Sequence, residues 1–248
     1  MAGHSQFKNI MHRKGAQDAK RAKIFTKIIR ELTVAAREGG PDITSNPRLK
    51  AAVINARESN MPKDTMERAI KRGAGHEDGT TYEEIRYEGY GPGGVAVIVE
   101  CLTDNRNRTA AEVRSTFTKY GGSLGENGSV SFMFDRLGLL RYGANVASFD
   151  TMFEAAVEAG AEDVQFEEGF YDVYCSSDLL NKTREGLFQR FKDAEVARLT
   201  WIPKNRAPLS EETARSFMKF MDVLEDNDDV QFVFENADIP EEILKEFS

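Results

Sequence analysis

The chain has 248 residues, 41 Asp and Glu against 33 Lys and Arg, a formal charge of −8 and two cysteines. That length can bury a substantial core, in one large domain or two to three small ones. No apolar run approaches the ~18 residues of a membrane helix, and no apolar leader opens the chain, so a cytoplasmic protein without a membrane partner is expected.

The average charge hides a division. Residues 1–72 carry 16 Lys and Arg against 7 Asp and Glu, and the remainder carries 17 against 34. Charges act over a Debye length of about 8 Å in physiological salt, so a local excess outweighs the whole-molecule balance. The front end suits a polyanion, and the acidic remainder would hold it to one side. Cys101 and Cys175 each lie in an apolar, strand-like run and read as buried free thiols of a reducing compartment.

Positive charge is densest from Gly3 to Arg37. Ala22, Phe25, Ile29, Leu32 and Ala36 recur at alternating spacings of three and four and predict a helix with a narrow apolar seam. Lys20, Lys23, Lys27 and Arg30 keep that rhythm two residues earlier. At 100° per residue the offset is about 200°, which places a cationic row opposite the seam. The arm before it carries Lys8, Arg13 and Lys14, interleaved with Phe7, Asn9 and His12 and opposed only by Asp18. Glu38-Gly39-Gly40-Pro41 ends this helix. Asn46-Pro47 caps a second, with Leu49, Ala52, Val53 and Ala56 inward. A third runs from Met61-Pro62 to Gly73, and its last cations, Arg68, Lys71 and Arg72, suit the negative end of the helix dipole. Residues 73–81 read as a linker.

From Tyr82 the period changes to two. YEEIRYE and VAVIVECL form a predicted hairpin around GYGPGG, a helix follows over 107–120, and SVSFMFD is a third strand. LGLLRY, a helix over 149–159, DVQFEE, YDVYCS, a helix over 179–194 and ARLTWIP then give βαββαβ, the ferredoxin-like order. A helix over 211–224, VQFVFE and a short terminal helix over 240–247 complete the chain. The class is α+β. A three-helix domain (1–76) precedes a discontinuous α+β domain (82–135 plus 205–248), into which a ferredoxin-like domain (136–204) is inserted. The words DVQF at 163–166 and at 229–232 hint that the two sheet domains are related.

Chemistry is sparse. His4, His12 and His76 all lie in the arm or linker, so the α/β part has no histidine base or ligand. No metal motif or phosphate loop occurs; the glycines at 89–94 sit between two strands, where a nucleotide fingerprint must open a helix. The carboxylates between Glu211 and Asp229 read as a solvated acidic face, the alternative being a metal-dependent hydrolase built on carboxylates. No catalytic residue, metal, cofactor or small-molecule substrate is expected. In TDNRNRT (103–109), Asp104, Asn105 or Asn107 caps a helix, and Arg106 and Arg108 suit phosphate as a second clamp.

The segments AGHSQFKNIMHRKGAQDAKRAKIFTKIIREL, NPRLKAAVINARESNMPKDTMERAIKRG, YEGYGPGGVAVIVECLTDNRNRTAAEVR and GGSLGENGSVSFMF closely resemble the YebC/PmpR family, which includes mitochondrial translational activators of cytochrome c oxidase subunit I. The resemblance runs nearly end to end. It implies a helical domain and two α+β domains, one inserted in the other, around a cleft. It also implies regulation of gene expression without chemistry, either as a DNA-binding transcriptional regulator or as a ribosome-associated translation factor that binds structured RNA and eases proline-rich stretches. Lys8, Arg13, Lys14, Asp18 and Arg21 keep the family's pattern. Ser5-Gln6-Phe7 replaces the usual Ser-Lys-Trp and Met11 a lysine, which removes two cations and shrinks the aromatic. The expected contacts with DNA or RNA are therefore Lys8, Arg13, Lys14, Lys20, Arg21, Lys23, Lys27 and Arg30, with Arg106 and Arg108, and Phe7 as a stacking ring. An adaptor that binds only proteins is a third reading.

Overall fold

The structure is a computed structural model. It describes residues 18–75, 79 and 81–247, with backbone alone for 18–21. The arm contacts Lys8, Arg13, Lys14 and Phe7, and all three histidines, lie outside the described residues. None of the described helices is long and apolar enough to cross a membrane. Two compact units form, and the division falls inside the first helix, α1 (Asp18–Gly39), between Arg30 and Glu31.

The first unit holds the rest of α1, α2 (Pro47–Glu58), α3 (Lys63–Gly75) and Arg136–Trp201. Asn46 joins the first two helices: its Oδ1 accepts the Leu49 N–H at 3.0 Å as the expected cap, while its Nδ2 donates to the Ala35 and Gly40 carbonyls at 2.7 and 2.8 Å. Gly73 does not stop α3, which runs on to Gly75. Its role is close packing, since a Cβ there would lie 2.2 Å from the Thr33 carbonyl oxygen.

In the same unit, apart from residues 134–135 and 202–203 at its two ends, β4 (Phe134–Gly143), α5 (Phe149–Glu158), β5 (Asp163–Glu167), β6 (Phe170–Ser176), α6 (Leu180–Phe191) and β7 (Val196–Pro203) follow the expected order. The sheet runs β5-β6-β4-β7, with β6 antiparallel to both β5 and β4, as in the ferredoxin-like arrangement. Leu140, Tyr142, Met152, Val173 and Leu187 fill the space beneath the helices. Lys50 of α2 bridges to Asp193 at 2.7 Å and lies over the Phe188 ring.

The second unit contains the start of α1 and the chain on either side of 136–201. β1 (Glu83–Tyr90) pairs in antiparallel register with β2 (Ala96–Thr103), turning through Gly91, whose N–H donates to the Val95 carbonyl at 2.8 Å. The glycine run is therefore a hairpin turn. α4 (Arg106–Lys119) leads to a two-residue strand, β3 (Ser123–Leu124). That short strand, not SVSFMFD, supplies the third member of the sheet; the Val130 and Ser131 N–H groups instead donate to the buried Glu88 carboxylate at 3.0 and 2.9 Å. Beyond the first unit come β8 (Ala207–Pro208), α7 (Glu211–Asp226), β9 (Val230–Glu235), β10 (Ala237–Asp238) and α8 (Glu241–Glu246). The sheet order is β3-β1-β2-β9, over a core of Val97, Val99, Phe117, Phe217, Phe220 and Val233.

The two sheets share one spatial plan. In each, a helix carries the chain from the third strand to the first across the second: α5 from β4 to β5, and α4 from β2 to β3. The DVQF words do not mark this relation. They open β5 and β9, which occupy opposite ends of the common order, so the words are coincidence and the kinship is topological.

Candidate nucleic-acid interface

The loop from β2 to α4 is a polar clamp centred on Asp229. Asn105 caps α4 with extended backbone, its Oδ1 accepting the Arg108 N–H at 3.1 Å. Thr103 Oγ1 accepts the Asn105 N–H at 2.9 Å. Thr109 donates its hydroxyl to Asp229 at 2.7 Å, and Arg108 Nη2 reaches both Asp229 oxygens at 2.8 and 3.0 Å and Asp104 at 2.9 Å. Arg30 enters from α1. Its Nη1 donates to Asp229 at 2.7 Å and to the Leu102 and Asp228 carbonyls at 2.7 and 3.0 Å, with the guanidinium over the Tyr82 ring.

The Asp229 side chain is only 3% exposed. Burial opposes its charge, but hydrogen bonds from Arg108, Thr109 and Arg30 outweigh that and hold the carboxyl below its ordinary range. The same carboxylate pushes the Arg108 guanidinium up, so both partners favour the ion pair. Nearby, burial pushes the Cys101 thiol up to about 12, with Asp229 adding to it. Cys101 and Cys175 are free and buried.

The rest of the basic row follows Arg30. Lys27 Nζ donates to the Glu225 carbonyl at 2.5 Å, and Lys23 pairs with the Asp226 carboxylate. Burial lowers the Lys27 ammonium, against the pull of Glu225, Asp228 and Asp226. The expected outward orientation is thus corrected for Lys23, Lys27 and Arg30. At spacings of four and three they line one face of α1, and that face lies on the last carbonyls and acidic turn of α7, where the helix dipole is negative. Ala22, counted in the apolar seam, is exposed instead. The acidic face is corrected only in part: Asp229 is buried and Asp226 pairs with Lys23, while Glu211, Glu212 and Asp228 are exposed.

Of the other expected contacts, Arg106 is 68% exposed and lies 3.7 Å from Glu83. Arg108 serves the Asp229 clamp. Lys20 and Arg21 belong to the first turn of α1. Arg114 and Lys119, which the sequence reading passed over, are exposed on α4. On α3, Arg68, Lys71 and Arg72 are exposed, and Arg68 Nε donates to the Asp64 carbonyl within its own helix at 3.2 Å. The signal available for the clamp was the match between three cations at helical spacing and the acidic run 225–229.

A family model of the TACO1/YebC N-terminal domain matches residues 5–76, and one of the second and third TACO1/YebC domains matches residues 82–237. The chain belongs to the TACO1/YebC family. A conserved hypothetical protein of Aquifex aeolicus, known from a crystal structure, is 47% identical and aligns over 90% of this chain and 92% of its own with a TM-score of 0.80. The TACO1/YebC fold of N-terminal helices followed by two antiparallel-sheet domains is therefore shared at the level of coordinates as well as sequence. The family is associated with transcription regulation or translational activation.

Proposed function

We propose that this protein is a non-enzymatic, cytoplasmic regulator of gene expression that grips nucleic-acid backbone with residues 8–21. One observation carries the reading. Lys23, Lys27 and Arg30 are matched to acids and carbonyls of the second unit, while residues 1–22 carry five Lys and Arg against one Asp. The acidic turn of α7 thus anchors α1, and a net four positive charges precede the anchor. Lys8, Arg13, Lys14, Lys20 and Arg21 contact phosphates, Phe7 stacks on a base, and Arg106 adds a second point of contact.

Transcription regulation on duplex DNA is the reading adopted. Translational activation on structured RNA at the ribosome is the second, favoured by the backbone character of these contacts, which select shape over sequence. Affinity for a DNA duplex and for an RNA hairpin, measured against salt, tests both. Six neutralised phosphates on duplex DNA give a slope of log K on log salt of about −5. Changing Lys8, Arg13, Lys14, Lys20 and Arg21 to Ala should flatten that slope towards −1 and leave the melting temperature in place. Retention of the full slope would end the proposal. Tighter RNA binding together with co-sedimentation with ribosomes would transfer it to translation.

A further inference from the structure

A second surface has the opposite character. Residues 144–170 hold seven Asp and Glu and no Lys, Arg or His. Within them Ser148 caps α5, and Met152, Ala155 and Ala156 turn to the sheet. Phe149, Phe153 and Val157, four residues apart, line the outer face. With Phe166 of the edge strand β5 they are between 42% and 54% exposed. The rings are in contact: Phe149 stacks on Phe153 at 6.0 Å, and Phe166 meets Tyr171 at 5.0 Å. Single exposed apolar residues are ordinary on a soluble protein, but a contiguous aromatic face is the mark of an interaction site. Asp150 and Glu154, each one residue further along α5, are exposed beside it, and Glu162 and Asp163 border its far end. Glu158 is bridged to Arg190 at 2.7 Å.

Charge decides the occupant. A nucleic acid would bring phosphates against carboxylates. A second copy across a two-fold axis would bring these same acids face to face. An amphipathic segment with apolar side chains at helical spacing and lysines or arginines beside them complements both the rings and their border. We propose that the Phe149–Phe153–Val157 face docks a cationic amphipathic helix of a partner protein. This stands apart from the nucleic-acid reading, because it rests on different residues in the other unit.

The test uses the full chain and a synthetic leucine–lysine helix of about 18 residues, long enough to fold on docking, with a leucine–glutamate isomer as control. The cationic helix should bind and the acidic isomer should not. F149S/F153S removes the rings, and D150K/E154K reverses the border while leaving the rings in place. Each should weaken binding at least about tenfold. Circular dichroism checks folding, and if the serine variant fails to fold the charge reversal decides alone. Equal affinity in the folded variants, or binding of the acidic isomer, would overturn the proposal. So would two other occupants: the chain's own arm, revealed if changing Lys8, Arg13 and Lys14 to Glu raises the peptide's affinity, or a second copy, revealed by a dimer in sedimentation that F149S/F153S abolishes.

Discussion

Helices α4 and α5 occupy the same place in two sheets of the same strand order, yet they present opposite surfaces. α4 carries Arg106, Arg108, Arg114 and Lys119 against Glu112, whereas α5 carries Asp150, Glu154 and Glu158, no cation, and an exposed row of Phe149, Phe153 and Val157. The inner faces differ little in kind: Val113 and Phe117 of α4, and Met152, Ala155 and Ala156 of α5, pack on their sheets. The common scaffold fixes what is buried and leaves the outer face free to diverge. The comparison therefore teaches that the two sheet modules are alike as folds and unlike as surfaces.

The comparison breaks most severely at Asp229, because the start of α4 depends on it and α5 has no counterpart. Replacing Asp229 with Ala leaves Arg30 and Arg108 facing each other without their shared carboxylate. Removal of one partner from a buried pair costs about 3–5 kcal/mol. For a chain of this size that is a fall in melting temperature of about 6–20 °C, visible by calorimetry. An unchanged melting temperature would mean that solvent replaces the carboxylate. A smaller effect of the same kind is expected when Lys23, Lys27 and Arg30 are changed together to Ala. The loss should appear as reduced stability, with nucleic-acid affinity in the folded protein altered far less than by changes in residues 8–21. Measuring both quantities on both variants separates anchor from contact.

The sequence made the sheet modules legible because burial writes itself in periods. Alternation in β1, the near-continuous apolar run of β2 and the helix–strand alternation from 134 to 203 each follow from which side chains must leave water. Short strands such as β3 carry too few residues to show a period. SVSFMFD misled for the opposite reason: its apolar alternation fits a strand, but the buried Glu88 carboxylate takes the Val130 and Ser131 N–H groups that a ladder would have used. The basic row was legible as a row and not as a contact. Periodicity gives the angle of Lys23, Lys27 and Arg30 about α1, and nothing local reveals that an acidic turn about 200 residues away lies along that angle. The Phe face of α5 was hidden likewise, because an exposed aromatic and a buried one look the same in a single sequence.

The surfaces of α4 and α5 can be set against each other directly. R106E/R114E on α4 should reduce affinity for duplex DNA about tenfold, since each reversal replaces an attraction to phosphate with a repulsion. Both side chains are exposed, so thermal unfolding should stay within about 2 °C of the parent. D150K/E154K on α5, a charge change of the same magnitude and opposite sign, should leave DNA affinity within about twofold of the parent. A gain for D150K/E154K that mirrors the loss for R106E/R114E would show that net charge alone governs affinity and that the helices are not specialised.

The smallest effect sharpens the contrast between the units themselves, through the sign of their response to acid. Asp229 in the second unit has a carboxyl held below its ordinary range. The stability it supplies is complete above the unfolded carboxylate value of about 4 and is lost as pH falls through the lower folded value. Glu58, at the end of α2 in the first unit, behaves in reverse. Partial desolvation, then the like charge of Glu195, push its carboxyl up to about 7 against the pull of Arg141. Its proton is bound more tightly in the folded chain, so its contribution is complete below the ordinary value of 4.5 and is lost as pH rises through about 7. Because Glu58 is exposed, solvent screens much of this, and the change should be at most a degree or two in melting temperature. Glu58→Gln keeps the shape and removes the titration. It should raise the melting temperature at pH 8 relative to the parent and leave it nearly unchanged at pH 4, below the ordinary value. Equal gains at both pH values would assign the effect to packing; no gain at either would show that the Glu58 carboxyl is fully hydrated.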